Sequence, residues 1–314
     1  MKIAPTLRTV ELELISKDRS EPGILHGSAT WLAHGLEIEE AGISLIRDQQ
    51  SCGNHPTELH QLTLARRADR LSADIQRFLL GASAFLGDSM VTVAENGGDD
   101  GESEADHAED EVVESGSIPH AVTPILPLPS ALGRSTCDAY GIGGLADQEL
   151  CLRIGQANDV LHVIHLVLAG KAILFHNDLH GAIGQAANTR AWGKLKIVDS
   201  TLKRHAAIYK KCCHALVSLR ADEDTLIKYR ELMDADLKAT TSVLNPNGSG
   251  HRNENLAWFW LMDIPRDTQV DDWTSKCGDF LPDLFFYTDP PSQFIRSTGC
   301  RQRQHTTIGQ RRWN

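Results

Sequence analysis

The chain has 314 residues, of which 41% are hydrophobic and 23% charged, and its formal net charge is −11 at pH 7. The apolar run at 160–169 is far shorter than the ~20 residues that cross a bilayer, and the first twenty residues contain no secretory signal. Its seven scattered cysteines include no CxxC pair. We therefore expect neither a membrane nor a secreted protein, and reduced thiols rather than a disulfide framework or zinc ribbon.

Residues 1–23 are expected to form a lead-in, and residues 24–90 are expected to form a helical hairpin. Ser28 can cap the first helix, and the turn sequence around Pro56 ends it. The second helix has apolar residues at alternating spacings of four and three, which is the pattern of a coiled-coil seam. These are Leu64, Ala68, Leu71, Ile75, Phe78, Ala82 and Phe85. Two such helices joined by a short turn predict an antiparallel pair.

The negative charge is concentrated after this hairpin. Ten acids and no Lys or Arg lie between Glu95 and Glu114, and the rest of the chain has a net charge of −1. Residues 91–120 contain few bulky apolar groups, so they cannot bury enough surface to offset their chain entropy. We expect a disordered acidic linker here, acting as a solvated spacer or, alternatively, as an acidic docking segment.

The heptad pattern returns in residues 121–274, where we expect a three-helix, coiled-coil-like bundle. Its first helix has a seam over 150–168 and its second a seam over 195–219. A third helix is predicted at about 223–243. The aromatic residues at 258–260 are predicted to cap the bundle. Strand signals are nearly absent, so the predicted fold class is all-α.

Four sequence blocks stand out in order along the chain. The first is WLAHGLEIEEAGISLI followed by LARRADRLSADIQRFLLGASAFLG, within 31–87, and the second joins LPLPSALG at 126–133 to ELCLRIGQANDVLHVIHLVLAGKAILF at 149–175. The third is ANTRAWGKLKIVDSTLKRHAAIYKKCCHAL at 187–216, and the most specific is NPNGSGHRNENLAWFWLMDI at 245–264. Together they resemble the C-terminal, post-catalytic region of fungal Kyakuja–Dileera–Zisupton (KDZ) transposases, including the cysteine-cluster KDZ transposase-associated proteins.

The resemblance implies a transposon-derived nuclear protein; without it, the sequence indicates a cytoplasmic one. In that family the cysteine cluster and an RNase-H-like catalytic core precede these blocks, so the resemblance implies that both are missing here. The acids of 95–114 cannot replace that core, because two-metal catalysis needs rigidly held carboxylates around ions about 4 Å apart. We expect no catalytic residue, no enzymatic activity, no cofactor, no bound metal and no small-molecule substrate.

Histidine and glycine motifs give little reason to expect other chemistry. His176 and His180 have HxxxH spacing but lack the glutamate of zinc proteases, so we expect histidines at a helix end or in a loop. His162 and His165 are expected to be partly buried and hydrogen-bonded. The glycines of 141–144 lack a preceding strand and a third correctly spaced glycine, which favours a linker before a helix.

Basic residues of the helix after 187 form the one candidate nucleic-acid site. They are Lys194, Lys196, Lys203, Arg204, Lys210 and Lys211. An ordinary solvated helix face is the alternative, because phosphate binding needs several basic side chains that converge on one surface. We expect weak, salt-sensitive DNA binding, since the acids of 95–114 compete for the same charges.

Two functions remain open from the sequence. The chain is either a non-catalytic transposase fragment that serves assembly or DNA positioning, or a domesticated helical module that binds a helical protein partner or itself. A long exposed apolar stripe would favour the interaction module, because monomers rarely leave large apolar patches uncovered. A polar exterior would favour the fragment.

Residues 275–314 depart from the pattern of the family. The resemblance ends after Trp273, and the last twenty-five residues contain no acid. Residues 275–277 can be encoded with a GTAAGT splice donor and residues 292–293 with a CAG acceptor. Splicing between them shifts the reading frame to one that can encode a continuation resembling the family's. We therefore expect an irregular tail that derives from a retained intron and out-of-frame sequence.

Sequencing of the transcript tests this expectation. We expect reads that lack the segment between codons 275 and 294 and continue in the shifted frame. Transcripts that all retain the segment would contradict the retained-intron hypothesis.

Overall fold

In the computed structural model, the described residues are 4–20, 26–52, 56–87, 126–176, 184–238 and 257–262. Within these ranges the chain is all-α, which confirms the predicted class, and contains no β-strand. The expected acidic linker at 91–120 and the tail at 275–314 lie outside the described residues.

Four long helices, one medium one and several short ones make up the described fold. They are α1 (Leu7–Ser20), α2 (Ser28–Ser51), α3 (Glu58–Leu86), α4 (Pro129–Leu132), α5 (Arg134–Ala139), α6 (Gly143–Leu174), α7 (Gln185–Ser218), α8 (Glu223–Lys228) and a 3-10 helix (Trp258–Leu261). Helices α1, α2 and α7 pack around α6, and α3 packs on the outer side of α2.

The antiparallel pair α6–α7 lies at the centre of the fold. Near one end Lys171 Nζ is 2.6 Å from Asp199 Oδ1, and farther along Cys212 Sγ donates a hydrogen bond to Gln156 Oε1 at 3.1 Å. The predicted seams of both helices are largely buried in one apolar cluster, as heptad spacing requires.

Helix α6 is apolar on most of its surface because other helices surround it. Among the described residues it is the one helix long and apolar enough to cross a membrane, with a mean hydropathy of 1.4 over its most apolar window. Of that window, 67% is buried inside the fold. Packing against α1, α2 and α7 accounts for this composition, as it does for core helices in general.

Helices α2 and α3 form the predicted antiparallel hairpin. Trp31 stacks on Phe78 with ring centroids 4.6 Å apart, and its indole Nε1 donates to the Phe78 carbonyl at 3.3 Å. The predicted cap was wrong, because the residue before the helix is Gly27, with a φ of 89°, and no side chain caps it. Ser28 is buried instead, and its hydroxyl donates to Gln148 Oε1 of α6 at 2.7 Å.

The two segments expected as separate units, 24–90 and 121–274, pack directly against each other. Ile43 of α2 contacts the apolar cluster of the α6–α7 pair. The expected lead-in at 1–23 contains α1, which also packs on α6. Its start is fixed by the Leu7 amide, which donates to Asp159 Oδ2 at 3.0 Å. Within the described residues, these segments therefore share packing with one another.

The predicted long helix at 223–243 was wrong. Helix α8 ends at Lys228, and Tyr229 adopts a non-helical φ of −102° and ψ of 69°. Tyr229 is buried, and its hydroxyl donates to Asn158 Oδ1 at 2.8 Å, while Met233 is 60% exposed. A continuous helix would place Tyr229 and Met233 on the same side, so the buried hydrogen bond to α6 overrides the local helical pattern.

The aromatic cap was predicted correctly. Phe259 is fully buried in the α6–α7 cluster, and Trp258 and Trp260 pack around it. The His165 ring stacks on Trp260 at 4.4 Å, and His165 Nε2 lies 3.2 Å from the Phe259 carbonyl oxygen. The 3-10 helix thus closes the side of α6 near its C-terminal half.

Gly155 allows α1 to approach α6. A Cβ atom at this position would lie 2.8 Å from the Leu7 backbone, whereas a Cβ at Gly144 of the same helix would meet nothing within 4 Å. We expect Gly155→Ala to lower the free energy of unfolding by about 1–3 kcal/mol, as overpacking does. Gly144→Ala is the matched control and should be neutral or slightly stabilising.

Urea denaturation measures both free energies, and hydrogen exchange locates the change. We expect faster exchange of the α1 amides in Gly155→Ala only. Unchanged exchange there would contradict the close contact between α1 and α6.

Candidate functional site

The six candidate basic residues all belong to α7, but they do not share one face. Lys196, Lys203 and Lys210 are exposed and seven residues apart, so they lie along one line of the helix. Lys194 is two residues from Lys196 and therefore lies on nearly the opposite side. The structure brings three of the six together.

The remaining two basic residues point toward α2. Lys211 Nζ lies 3.5 Å from Glu39 Oε1. Arg204 is half-buried, and burial lowers the pKa of its guanidinium; the nearby Arg67 lowers it further while Asp48 opposes this. Arg67 itself forms an ion pair with Asp48 at 2.5 Å. Arg204 therefore lies beside charged groups of α2 and α3, whereas Lys211 is exposed and pairs with Glu39 of α2.

A buried charge cluster joins α2, α4, α6 and α7. At its centre the Arg153 side chain is fully buried, with Nε donating to Glu149 Oε1 at 3.0 Å and Nη1 donating to Gln156 Oε1 at 3.2 Å. Its Nη2 lies 2.6 Å from Glu39 Oε2. The two groups form an ion pair, but their geometry is not that of a hydrogen bond. We call this cluster the Arg153 network; its members are Arg153, Glu149, Glu39, Glu40, Gln156 and Ser130.

Ser130 and Gln156 provide hydrogen bonds to the carboxylates of Glu149 and Glu40. Ser130 donates to Glu149 twice, from its amide to Oε2 at 2.7 Å and from its hydroxyl to Oε1 at 2.6 Å. Gln156 Nε2 donates to Glu40 Oε1 at 2.7 Å. Buried carboxylates need such partners, because desolvation of an isolated charge is expensive.

Electrostatics keeps the centre of the network charged. Burial disfavours the guanidinium cation of Arg153, but the Glu149 and Glu39 carboxylates outweigh this, so the pKa of Arg153 lies above its ordinary value. Burial raises the pKa of Glu40, and the hydrogen bond from Gln156 offsets this only in part. The cluster therefore combines one cation with three carboxyl groups, and Arg153 and Glu149 at its centre are closed off from solvent.

This arrangement leaves little room for catalysis or metal binding. The carboxylates of Glu149 and Glu39 already contact a cation, which occupies the place where a metal ion would have to sit. Across the described residues, no three His, Cys, Asp or Glu side chains are grouped to hold a metal. A shallow depression on α1, lined by Thr9, Leu12 and Glu13, is open to solvent.

The histidines behave largely as structural residues. His165 is buried and His162 is half-buried, in keeping with their prediction. Burial lowers the pKa of His205 to about 3, which keeps this ring neutral. His176 is exposed just beyond the end of α6, and His180, its partner in the HxxxH motif, lies outside the described residues.

The five described cysteines are poor nucleophiles. Burial is the main factor that raises the thiol pKa at Cys52, Cys137, Cys151, Cys212 and Cys213. For Cys137 and Cys213 the pKa rises to about 11. The thiolate, which is the reactive form, is therefore disfavoured at each site.

Sequence reasoning missed the Arg153 network, although a signal for it exists. Glu149, Arg153 and Gln156 follow the same four-three spacing as the apolar seam, shifted by one residue. Polar residues at such positions on a helix that is otherwise apolar on all sides indicate a buried polar row. Their partners on α2 and α4 come from distant parts of the sequence.

Comparison of this chain with models of known protein families, with curated proteins and with solved structures finds no match.

Removal of the Arg153 cation should destabilise the fold strongly. Arg153→Met leaves the Glu149 carboxylate buried without a cation and Glu39 with only Lys211 beside it, so we expect the free energy of unfolding to fall by about 3–5 kcal/mol. Arg66→Met, at an exposed position of α3, is the matched control and should change it by less than about 0.5 kcal/mol.

Both values come from urea denaturation at neutral pH. The double variant Arg153→Met/Glu149→Gln should recover part of the loss, because it also removes one unpaired charge. Equal stability of Arg153→Met and the parent would contradict a central role for the network.

Proposed function

We propose that this chain is a non-catalytic helical scaffold related to the post-catalytic region of KDZ transposases, with a role in assembly or in DNA positioning. The observation that carries the proposal is the Arg153 network. In this network a fully buried guanidinium lies between the Glu149 and Glu39 carboxylates, and Glu149 is itself fully buried. A two-metal nuclease needs the opposite, which is open carboxylates around two ions.

The order of the four sequence blocks supports the relationship to KDZ transposases. Three of these blocks supply most of α2, α3, α6 and α7; the Arg153 network joins α2 to α6, and Cys212 of α7 donates to its Gln156. The segments that resemble the family pack against one another, as we expect for a scaffold region. The relationship remains a proposal that rests on the blocks themselves.

The distribution of exposed apolar residues favours the scaffold over a dedicated interaction module. Leu59 and Leu80, the most exposed leucines, lie at opposite ends of α3, with Arg66, Arg70 and Arg77 between them. Leu62 and Leu79 are also exposed on α3, and the other exposed apolar side chains are distributed over α1, α7, α8 and two turns. Small groups of this kind, separated by charged residues, are normal for a protein surface and do not form a continuous docking stripe.

A split-transposase assay tests the proposal. The catalytic region of a KDZ transposase is produced in cells with or without this chain on a separate plasmid, and excision of a marked donor element is counted. We expect excision to increase when the chain is present and to remain at background for the chain alone. The Arg153→Met variant serves as the destabilised control and should not support excision.

A nuclease assay with Mg²⁺ or Mn²⁺ tests the non-catalytic part separately. We expect no cleavage of supercoiled plasmid by the purified chain. Cleavage that copurifies with the protein and disappears in Glu149→Gln would overturn the proposal that the chain is non-catalytic. Excision that is the same with and without the chain would overturn the transposase role.

A further inference from the structure

The outward face of α7 presents an aromatic and basic row. It consists of Trp192, Lys196, Lys203 and Lys210, which we call the lysine row. These positions are four, seven and seven residues apart, close to whole helical turns, so the side chains form one line about 27 Å long. All three lysines are exposed, and 55% of the Trp192 side chain is accessible to solvent.

The acids near the row do not neutralise it. Asp199 lies between Lys196 and Lys203, but its carboxylate is 2.6 Å from Lys171 of α6. Glu231 lies 3.3 Å from Lys210, and both side chains are about half exposed or more. Exposed ion pairs of this kind contribute little and exchange readily with other partners. The face therefore retains a positive charge although the whole chain is acidic.

We propose that the lysine row binds single-stranded nucleic acid, with the lysines contacting successive backbone phosphates and Trp192 stacking on a base. This deepens the DNA-positioning role proposed above and rests on it. Lysine is a point-charge donor that suits phosphate, and an exposed indole offers a flat surface to which any base can stack. The combination is typical of binding without sequence preference.

The straightness of the row favours a single strand over a duplex. The lysines span about 21 Å along a straight helix, whereas each strand of a duplex winds away from a straight line within a few phosphates. A flexible single strand can follow the row and expose a base to Trp192, which a duplex keeps stacked.

The other basic residues of α7 and α3 serve as comparisons for the lysine row. Arg204 and Lys211 face α2, where they contact acidic side chains or lie beside them. The exposed arginines of α3, which are Arg66, Arg70 and Arg77, provide a second basic face of equal charge without an exposed aromatic ring. That face is a matched control for non-specific attraction.

Fluorescence anisotropy with a labelled dT oligonucleotide of about 12 nucleotides tests the proposal over a range of salt concentrations. Each single-strand phosphate contact contributes about 0.7 to the slope of log affinity against log salt. We expect Lys196→Gln/Lys203→Gln/Lys210→Gln to reduce the magnitude of this slope by about 2. Arg66→Gln/Arg70→Gln/Arg77→Gln removes the same charge and should leave the slope unchanged.

Trp192→Ala separates stacking from charge. We expect it to weaken binding about ten-fold or more without a change in salt slope, because it removes a base-stacking contact and no charge. A duplex of the same length should bind more weakly than the single strand. All substituted side chains are exposed, so circular dichroism and urea denaturation should match the parent.

Three outcomes would overturn the proposal. They are equal loss of slope in the arginine control, unchanged affinity in Trp192→Ala, and equal binding of duplex and single strand. Binding of a poly-glutamate peptide with the same dependence on the row and stronger affinity would instead identify an acidic protein partner and would also overturn it. None of these results bears on the excision and nuclease assays, so the scaffold role succeeds or fails independently.

Discussion

The burial of one guanidinium determines how the helices of this fold meet. Arg153 of α6 contacts Glu149 on its own helix, Glu39 on α2 and Ser130 on α4. Each ion loses several kcal/mol of hydration on burial, and the ion pairs recover this only if all partners are in place. A small rotation or shift of α2 along α6 would leave a charge without a partner. The network therefore specifies one arrangement of these helices, whatever its net contribution to stability.

Two apolar clusters lie on either side of this network. One is formed mainly by α1, α2 and α3 and extends to Leu152 of α6, and the other begins at Ala157 and includes α7 and Phe259. Hydrophobic contacts supply most of the driving force for folding, but they are non-directional and tolerate sliding. The Arg153 network between the clusters provides directional contacts, which restrict how the helices can slide past one another. It also links the α2–α3 hairpin to the α6–α7 pair.

Charged side chains in the interior of the fold differ from those on its surface in the partners that they have. Acids and bases that face inward are paired across helices, as Glu39 is with Arg153 and Lys211. Basic residues that face outward on α7 have only exposed acidic neighbours, so their charge remains available to a polyanion. The functional proposals follow this distinction: the interior provides a rigid scaffold, and the outer face of α7 provides a surface that can interact.

Heptad spacing in the sequence was sufficient to predict the all-α class, the α2–α3 hairpin and the two long helices, because the period of apolar residues is a local property. Local patterns did not predict the end of α8, where the hydrogen bond from Tyr229 to Asn158 overrides helical propensity. They also did not reveal that only Lys196, Lys203 and Lys210 share an open face, since the other basic residues are distinguished by what α2 brings next to them. The cation of Arg153 and the carboxylate of Glu39 are more than a hundred residues apart in sequence, and only tertiary packing brings them within 2.6 Å. The sequence by itself determined the helical class, most of the long helices and their apolar faces, whereas the pairing of Arg153 with Glu39 required the three-dimensional fold, because a buried charge needs a partner and this one comes from another helix.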